Sequence, residues 1–252
     1  MRTTNLSVAT YCRLERMSLL ALFFAITLGL AAADPPRDRL TYSIEWRLIH
    51  AGEAILEYGA SSASVKLESA GLVSTLYKVQ DAYQVQFDAP FCATSSVMNS
   101  IEGSRRRETV VTFDRNRGRA SLTEKDLIKN SVVSKTEVQI PNCVQEVAAA
   151  LLRLRRTKVE VGQSAQIPMS DGRKSAQVKV DAQERERIKT PAGTFNTVRY
   201  EANLLNDVIY TRKGRAFIWL TDDDRRVPVR IVLRMNFPLG TVTLDLEKEE
   251  HP

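Results

Sequence analysis

Histidine is nearly missing from this chain: 252 residues carry two, His50 and His251. Neither stands beside a nucleophile motif, and G-x-S-x-G, H-E-x-x-H and a glycine-rich phosphate loop are absent. A histidine-dependent hydrolase is therefore not expected, and no nucleotide-binding loop is present. Cysteine is also scarce, at three. No C-x-x-C pair exists, so dithiol redox chemistry is excluded as well. Asp222, Asp223 and Asp224 come nearest to a calcium loop, but the D-x-[DN]-x-[DN]-G spacing is lacking and Arg225 and Arg226 follow at once. They read instead as a hairpin turn with Asx hydrogen bonds. No catalytic residue, metal site or cofactor is expected. Fixed-period repeats and low-complexity linkers are missing too.

Only one apolar run is long. Met17 to Leu30 follows Arg13 and Arg16 and leads into Ala31-Ala32-Ala33, the layout of a secretory signal peptide over residues 1–33. The alternative is an uncleaved anchor, and about 17 residues is at the short limit for a span. Cys12 lies upstream of the run, so a lipoprotein site at the cleavage point is not expected. An exported chain, periplasmic or fully secreted, keeps no stable transmembrane span after cleavage and meets no nucleic acid. In an oxidising compartment the two remaining cysteines, Cys92 and Cys143, read as one disulfide. The competing reading is a reactive Cys143 near a helix start, where the dipole lowers a thiol pKa.

What fills the rest of the chain is period-two alternation. Residues 214–246 show it best: Val227, Val229, Ile231, Leu233 and Met235 share one strand face, with a polar turn before them and Pro238-Leu239-Gly240 after. Leu40 to Leu48 alternates as cleanly, and His50-Ala51-Gly52 predicts a turn into Glu53 to Tyr58. Further strands are predicted at 64–69, 74–79, 83–88, 107–113, 119–123, 135–140, 165–168, 175–182, 187–190 and 194–202, and Gly172 and Gly193 stand where positive φ is useful. One segment breaks the pattern: Val144, Val147, Ala148, Leu151 and Leu152 recur at helical spacing, predicting a helix over about 142–155 with Asn142 as N-cap. The fold class is mainly β, a curved antiparallel sheet or half-open barrel with that helix against its concave side; a two-sheet sandwich is the alternative. Residues 34–252 read as one β-rich domain, with halves 34–141 and 157–252 joined by the helix.

Candidate ligand-binding residues are the large aromatics of the best-defined strands, Tyr42, Trp46, Phe217 and Trp219, which could face an acyl chain or a sugar or could be core. Arg105, Arg106 and Arg107 form the tightest basic cluster, suited to an anionic head group or simply to a solvated strand face. Glu45, Glu53, Glu57, Glu102 and Asp81 are the carboxylates available for a glycan-acting enzyme.

The segments LTYSIEW, AGEAILEY, LYKVQDAYQVQFD, IEGSRRRETVVTFD, NCVQEVAAALLRLRR, TPAGTFNTVRYEA and IWLTDDDRRVPVRI, in that order, resemble the exported bacterial family named domain of unknown function 3108. The resemblance brings no activity, catalytic residue or cofactor. The closing pattern, a tryptophan strand, an acidic turn and Val227-Pro228-Val229-Arg230, is similar to that of periplasmic lipoprotein carriers, which implies a half-open barrel around an apolar cavity. Short segments between strands depart from those carriers and leave no obvious large lid. The expectation is an exported, non-enzymatic cell-envelope protein that binds a lipid-like or glycolipid ligand, or an envelope protein. A structural module with a filled core is the alternative, and a carboxylate-based glycan enzyme the third reading.

Overall fold

The computed structural model describes residues 37–238 and 240–251; the segment 1–33 read as a signal peptide, and Cys12 within it, lie outside them. Strands β1 (Asp38–Trp46), β2 (Ile49–Tyr58) and β3 (Ser62–Ser69) are followed by a short helix, α1 (Gly71–Leu76). Then come β4 (Val79–Asp88), β5 (Cys92–Glu102), β6 (Arg105–Asp114), β7 (Arg119–Asp126) and β8 (Ser131–Gln139). The main helix α2 (Val147–Arg156) leads to β9 (Ser164–Ser170), β10 (Ser175–Thr190), β11 (Gly193–Ala202), β12 (Gly214–Thr221), β13 (Pro228–Met235) and β14 (Thr241–Glu250). All fourteen strands form one sheet, in the order β8-β7-β6-β5-β4-β3-β2-β1-β14-β13-β12-β11-β10-β9. The chain thus enters at the middle of the sheet, meanders out to β8, crosses through α2 to the opposite edge and meanders back until β14 lies against β1. Twist accumulating over so many strands makes the sheet curl.

The curl is not completed by strand pairing, since β8 and β9 are both edges. Three smaller links reach between these regions. Gln145 forms a parallel bridge to Met169, Thr136 Oγ1 donates to Gly172 O at 3.1 Å, and Arg173 pairs with Glu124. Gly172, at the β9–β10 turn, has φ +83° and a pro-Cβ position 2.7 Å from Val111 Cγ1. Both the backbone angle and the contact exclude a side chain. Gly172→Ala is therefore expected to lower stability by about 1–3 kcal/mol, read as a lower urea midpoint at an unchanged m value.

Two clusters make the core. The first gathers Leu40, Leu56, Val85, Phe87, Phe113 and Leu122 with Ala148, Ala149 and Leu152 of α2. The second gathers Ile167, Val178, Val180, Tyr200, Ile218 and Leu220 with Ala150 and Leu154. Successive faces of one ten-residue helix feed both clusters, so α2 lies on the concave side as a partition.

The structure corrects several local expectations. α2 begins at Val147 with Glu146 as N-cap, its side chain accepting from Ala148 N, not at Asn142. The reason lies in the preceding residues. Gln145 N donates to Pro168 O and Ser170 N to Gln145 O, so Gln145 is held as a strand residue against β9 and cannot be helical. The first hairpin turns at Arg47 and Leu48, both with positive φ, as a two-residue turn requires, and not at His50-Ala51-Gly52. Predicted strand 74–79 is occupied up to Leu76 by α1. The predicted strands 175–182 and 187–190 are one sixteen-residue strand with an irregularity between Ala182 and Glu184. β5, CATSSVMNSIE, lacks the alternation that would have announced it.

Candidate functional site

Between α2 and the concave face lies a cavity of about 610 Å³. Its sheet wall is built from the inward positions of alternating strands: Tyr42 of β1, Ala54 and Leu56 of β2, Val65 of β3, Ile231 and Leu233 of β13, and Leu244 of β14. Register keeps these on one face, because Ile218 pairs with Ile231 and Ile231 with Leu244. Val147, Ala148, Ala150, Leu151 and Leu154 of α2 roof it, and Ile167, Met169, Val178 and Val180 close the far side. Small side chains explain why space remains here. Ala54, Ala148, Ala150, Ala202 and Ala216 all line the cavity, where leucine at the same inward positions would have filled it.

One end of the cavity is tied shut. The C-terminal turn of α2 is fastened to the β12–β13 turn, Arg155 donating to Arg226 O at 3.0 Å and to Arg225 O at 3.1 Å. The Arg155 guanidinium also lies 4.9 Å from the Tyr58 ring centroid. Arg226 returns the link through Tyr200, its Nη2 2.9 Å from the hydroxyl. Tyr42 spans the wall and donates to Pro228 O at 2.8 Å; burial drives its phenol far above the usual range. The other end is bordered by the β11–β12 connection, through Leu204, Leu205, Tyr210, Thr211 and Arg212. Arg212 is exposed and is the charged residue of the lining.

Beside the first turn of α2 sits a buried polar group that the sequence does not flag as special. Glu146 is 5% exposed. Burial raises its carboxyl to about 7, opposed by Tyr83 and by the Ala148 and Val147 amides and assisted by the charge of Asp171. The Tyr83 hydroxyl acts on both Glu146 and Ser96, while Gln145 Oε1 has no hydrogen-bond partner among the described residues. Tyr210 is likewise raised by burial and then by Glu146. Of this polar group Tyr210 lines the cavity, and Glu146, Gln145 and Tyr83 do not.

The residues singled out from sequence are not brought together. Tyr42 lines the cavity. Phe217 and Trp219 alternate with the cavity-lining Ala216 and Ile218 and so point to the opposite face of the sheet, where both are buried as part of the core. There Trp219 Nε1 donates to Glu186 at 2.7 Å, while Arg199, Arg215 and Arg234 surround the Phe217 ring. Trp46 ends β1, half-buried, with the Arg47 guanidinium 5.2 Å from its ring centroid. Arg105 and Arg106 are exposed at the β5–β6 turn, and Arg107 faces Asp126 at 3.4 Å. Cys92 and Cys143 are joined in a disulfide, which removes the reactive-thiol reading. Among the carboxylates, Glu57 pairs with Arg39, and Asp81 is raised to about 6 by burial and then by Glu102; neither lines the cavity. The triple-aspartate turn is spent on Asx bonds, Asp223 Oδ1 accepting from Arg225 N and Arg226 N. Among the described residues, His, Cys, Asp and Glu form no metal-holding group, and no helix is long and apolar enough to cross a membrane.

No curated protein matches this sequence. The family described as protein of unknown function DUF3108 matches residues 41–247. The chain belongs to that family. Of solved structures, the DUF3108 fold is similar to a beta-barrel-like protein of domain of unknown function DUF1849 from Brucella abortus, with a TM-score of 0.57 at 11% identity, covering 86% of this chain and 98% of that one. A DUF1089 family protein from Pseudomonas aeruginosa matches at a TM-score of 0.40 and 15% identity, over 73% of this chain and 90% of that one. The first likeness shows a shared barrel-like architecture for this DUF3108 member, and it carries fold alone.

Proposed function

We propose that this DUF3108 chain is an exported, non-enzymatic binding protein that takes one apolar or amphiphilic, lipid-like molecule into the cavity beneath α2. The observation that carries the reading is the cavity itself: about 610 Å³ bounded almost wholly by aliphatic side chains. That is within the range of small-molecule sites, roughly 300–1,000 Å³, whereas a module with a filled core would have none. The chemistry of the walls selects the ligand class. Aliphatic surface offers no partner to sugar hydroxyls or charged groups, whose desolvation would go uncompensated. A polar head is served only at the mouth, by Arg212, Thr211 and the Tyr210 ring.

The test is native mass spectrometry of the protein recovered from its own host's envelope, followed by organic extraction and lipid analysis. One equivalent of an acyl-chain compound is expected, and Ala216→Phe, which places a ring in the cavity, is expected to reduce occupancy more than tenfold. Ala216 is 2% exposed and faces that space, so the added volume goes where the ligand would lie. A bare mass for the unsubstituted protein, with a far-UV spectrum of folded sheet, would sink the reading.

A further inference from the structure

We propose that the end of the sheet at which the cavity opens docks on an anionic phospholipid bilayer. In an antiparallel meander alternate turns lie at the same end. The β1–β2, β3–β4, β5–β6, β7–β8, β9–β10, β11–β12 and β13–β14 connections therefore share one end, and the cavity mouth is formed by one of them. These connections carry large apolar side chains in the open: Leu48 is 92% exposed, Phe237 89%, Leu76 73%, and Leu72, Ile128 and Tyr77 at least half. At the other end the strand-to-strand turns carry no exposed large hydrophobic side chain among the described residues, and Val161, in the α2–β9 connection, is only 36% exposed.

The connections touch one another, so the apolar tips belong to a continuous rim. Arg47 N donates to Thr241 O, Asn236 N to Lys213 O, Gly103 N to Lys78 O and Leu127 N to Arg106 O, and Ala70 N to Ala51 O ties the β3–β4 connection to β2 beside the first hairpin. Arg47 also lies 6.0 Å from the Phe237 ring centroid. Cations stand between the tips. Lys78, Arg105, Arg106, Arg212 and Lys213 form no ion pair among the described residues, whereas Asp126 is engaged with Arg107 and the Ile128 and Lys129 amides, Asp171 with the Arg173 and Lys174 amides, and Asp207 with Lys174; Glu102, opposite Arg105, is an acid at these turns without an ion pair among the described residues.

Charge complementarity chooses the occupant. A rim with apolar crests and uncompensated cations set beside them matches the depth order of an anionic bilayer, acyl chains below and phosphates above. Burying a leucine or phenylalanine there removes it from water, and each cation adds attraction that falls within a Debye length. Docked in this way, the rim places the Arg212 side of the cavity against the lipid surface. The docking surface stands on its own residues and does not depend on what the cavity holds.

Vesicle flotation of the protein as recovered from its host tests the proposal, with phosphatidylcholine alone against phosphatidylcholine mixed with phosphatidylglycerol. Co-flotation is expected with the mixed vesicles and is expected to fall with salt. Leu48→Asp, Leu76→Asp and Phe237→Asp together should lower the partition more than tenfold, and Arg105→Gln with Arg106→Gln by about fivefold per charge. Val161→Asp at the far end and the cavity-filled Ala216→Phe should float like the unsubstituted protein, which separates a failed rim from a failed cavity. Flotation that is absent from mixed vesicles, indifferent to the three tip substitutions, or replaced by pull-down of an envelope protein through the same tips would overturn it.

Discussion

Replacing Cys92 and Cys143 together by alanine is expected to remove about 4 kcal/mol of stability, the chain-entropy value for a bridge of this span, and to lower the melting temperature by roughly 10 °C. The bridge joins residues 51 apart in sequence and fastens the start of β5 to the segment that feeds α2. Ala93 N donates to Val144 O at 2.8 Å beside it. The constraint therefore acts on both the unfolded chain and the roof of the cavity. Opening the bond frees residues 140–146, on which the position of Glu146 and the first helical turn depend, so ligand occupancy should fall along with stability. Differential scanning calorimetry with and without reductant measures the first effect. A melting temperature unmoved by the double substitution would show that the strand-like contacts of Gln145 alone hold the segment.

A second large effect is expected from Glu146→Gln, and it should depend on pH. Burial lifts the folded-state carboxyl from the ordinary 4.5 to about 7, so the folded protein binds the proton more tightly than the unfolded chain does. Stability linked to this group is thus fully present below about 4.5 and is lost as pH rises through about 7. The full swing is about 3 kcal/mol. Glutamine keeps an oxygen to accept from Ala148 N, so the helix cap survives while the buried charge goes. The variant should be more stable than the unsubstituted protein above about pH 7 and should show a flatter profile below it. Urea midpoints measured across that window decide the matter; parallel profiles for the two proteins would mean that the carboxylate is solvated.

How much of this was legible beforehand differs by level. The sheet was, because Leu40, Tyr42 and Ile44, and likewise Ile231 and Leu233, keep strict alternation over a half-buried surface. The concave-side helix was legible too, from the spacing of Val147, Leu151 and Leu152. Its start was not: Gln145 is held by β9, some twenty residues later in the chain, and no local propensity encodes that. The cavity was harder still. Large aromatics suggested a binding surface, yet Phe217 and Trp219 share β12 with the residues that line the cavity and face away from them. The signal lay in what is small, in Ala54, Ala148, Ala150, Ala202 and Ala216, and an alanine in a sequence does not say whether a neighbour fills the space it leaves. Glu146 was similarly silent, since inside the predicted 142–155 helix a glutamate reads as a solvated position until its burial and its role as N-cap are known.

The pairing of β14 with β1 also fixes an order of events. Arg39 lies opposite Glu250, so β14, last of these strands in chain order, pairs with β1, the first. Chain growth runs from the N-terminus, and β1 must wait through the synthesis of every other strand before its second neighbour exists. Until then β1 is an open edge of an unfinished strip, and contacts of such long sequence separation form slowly. A nascent chain of this topology thus carries β1 with one edge unpaired until β14 is made, which makes β1 the place where a holdase would be needed most.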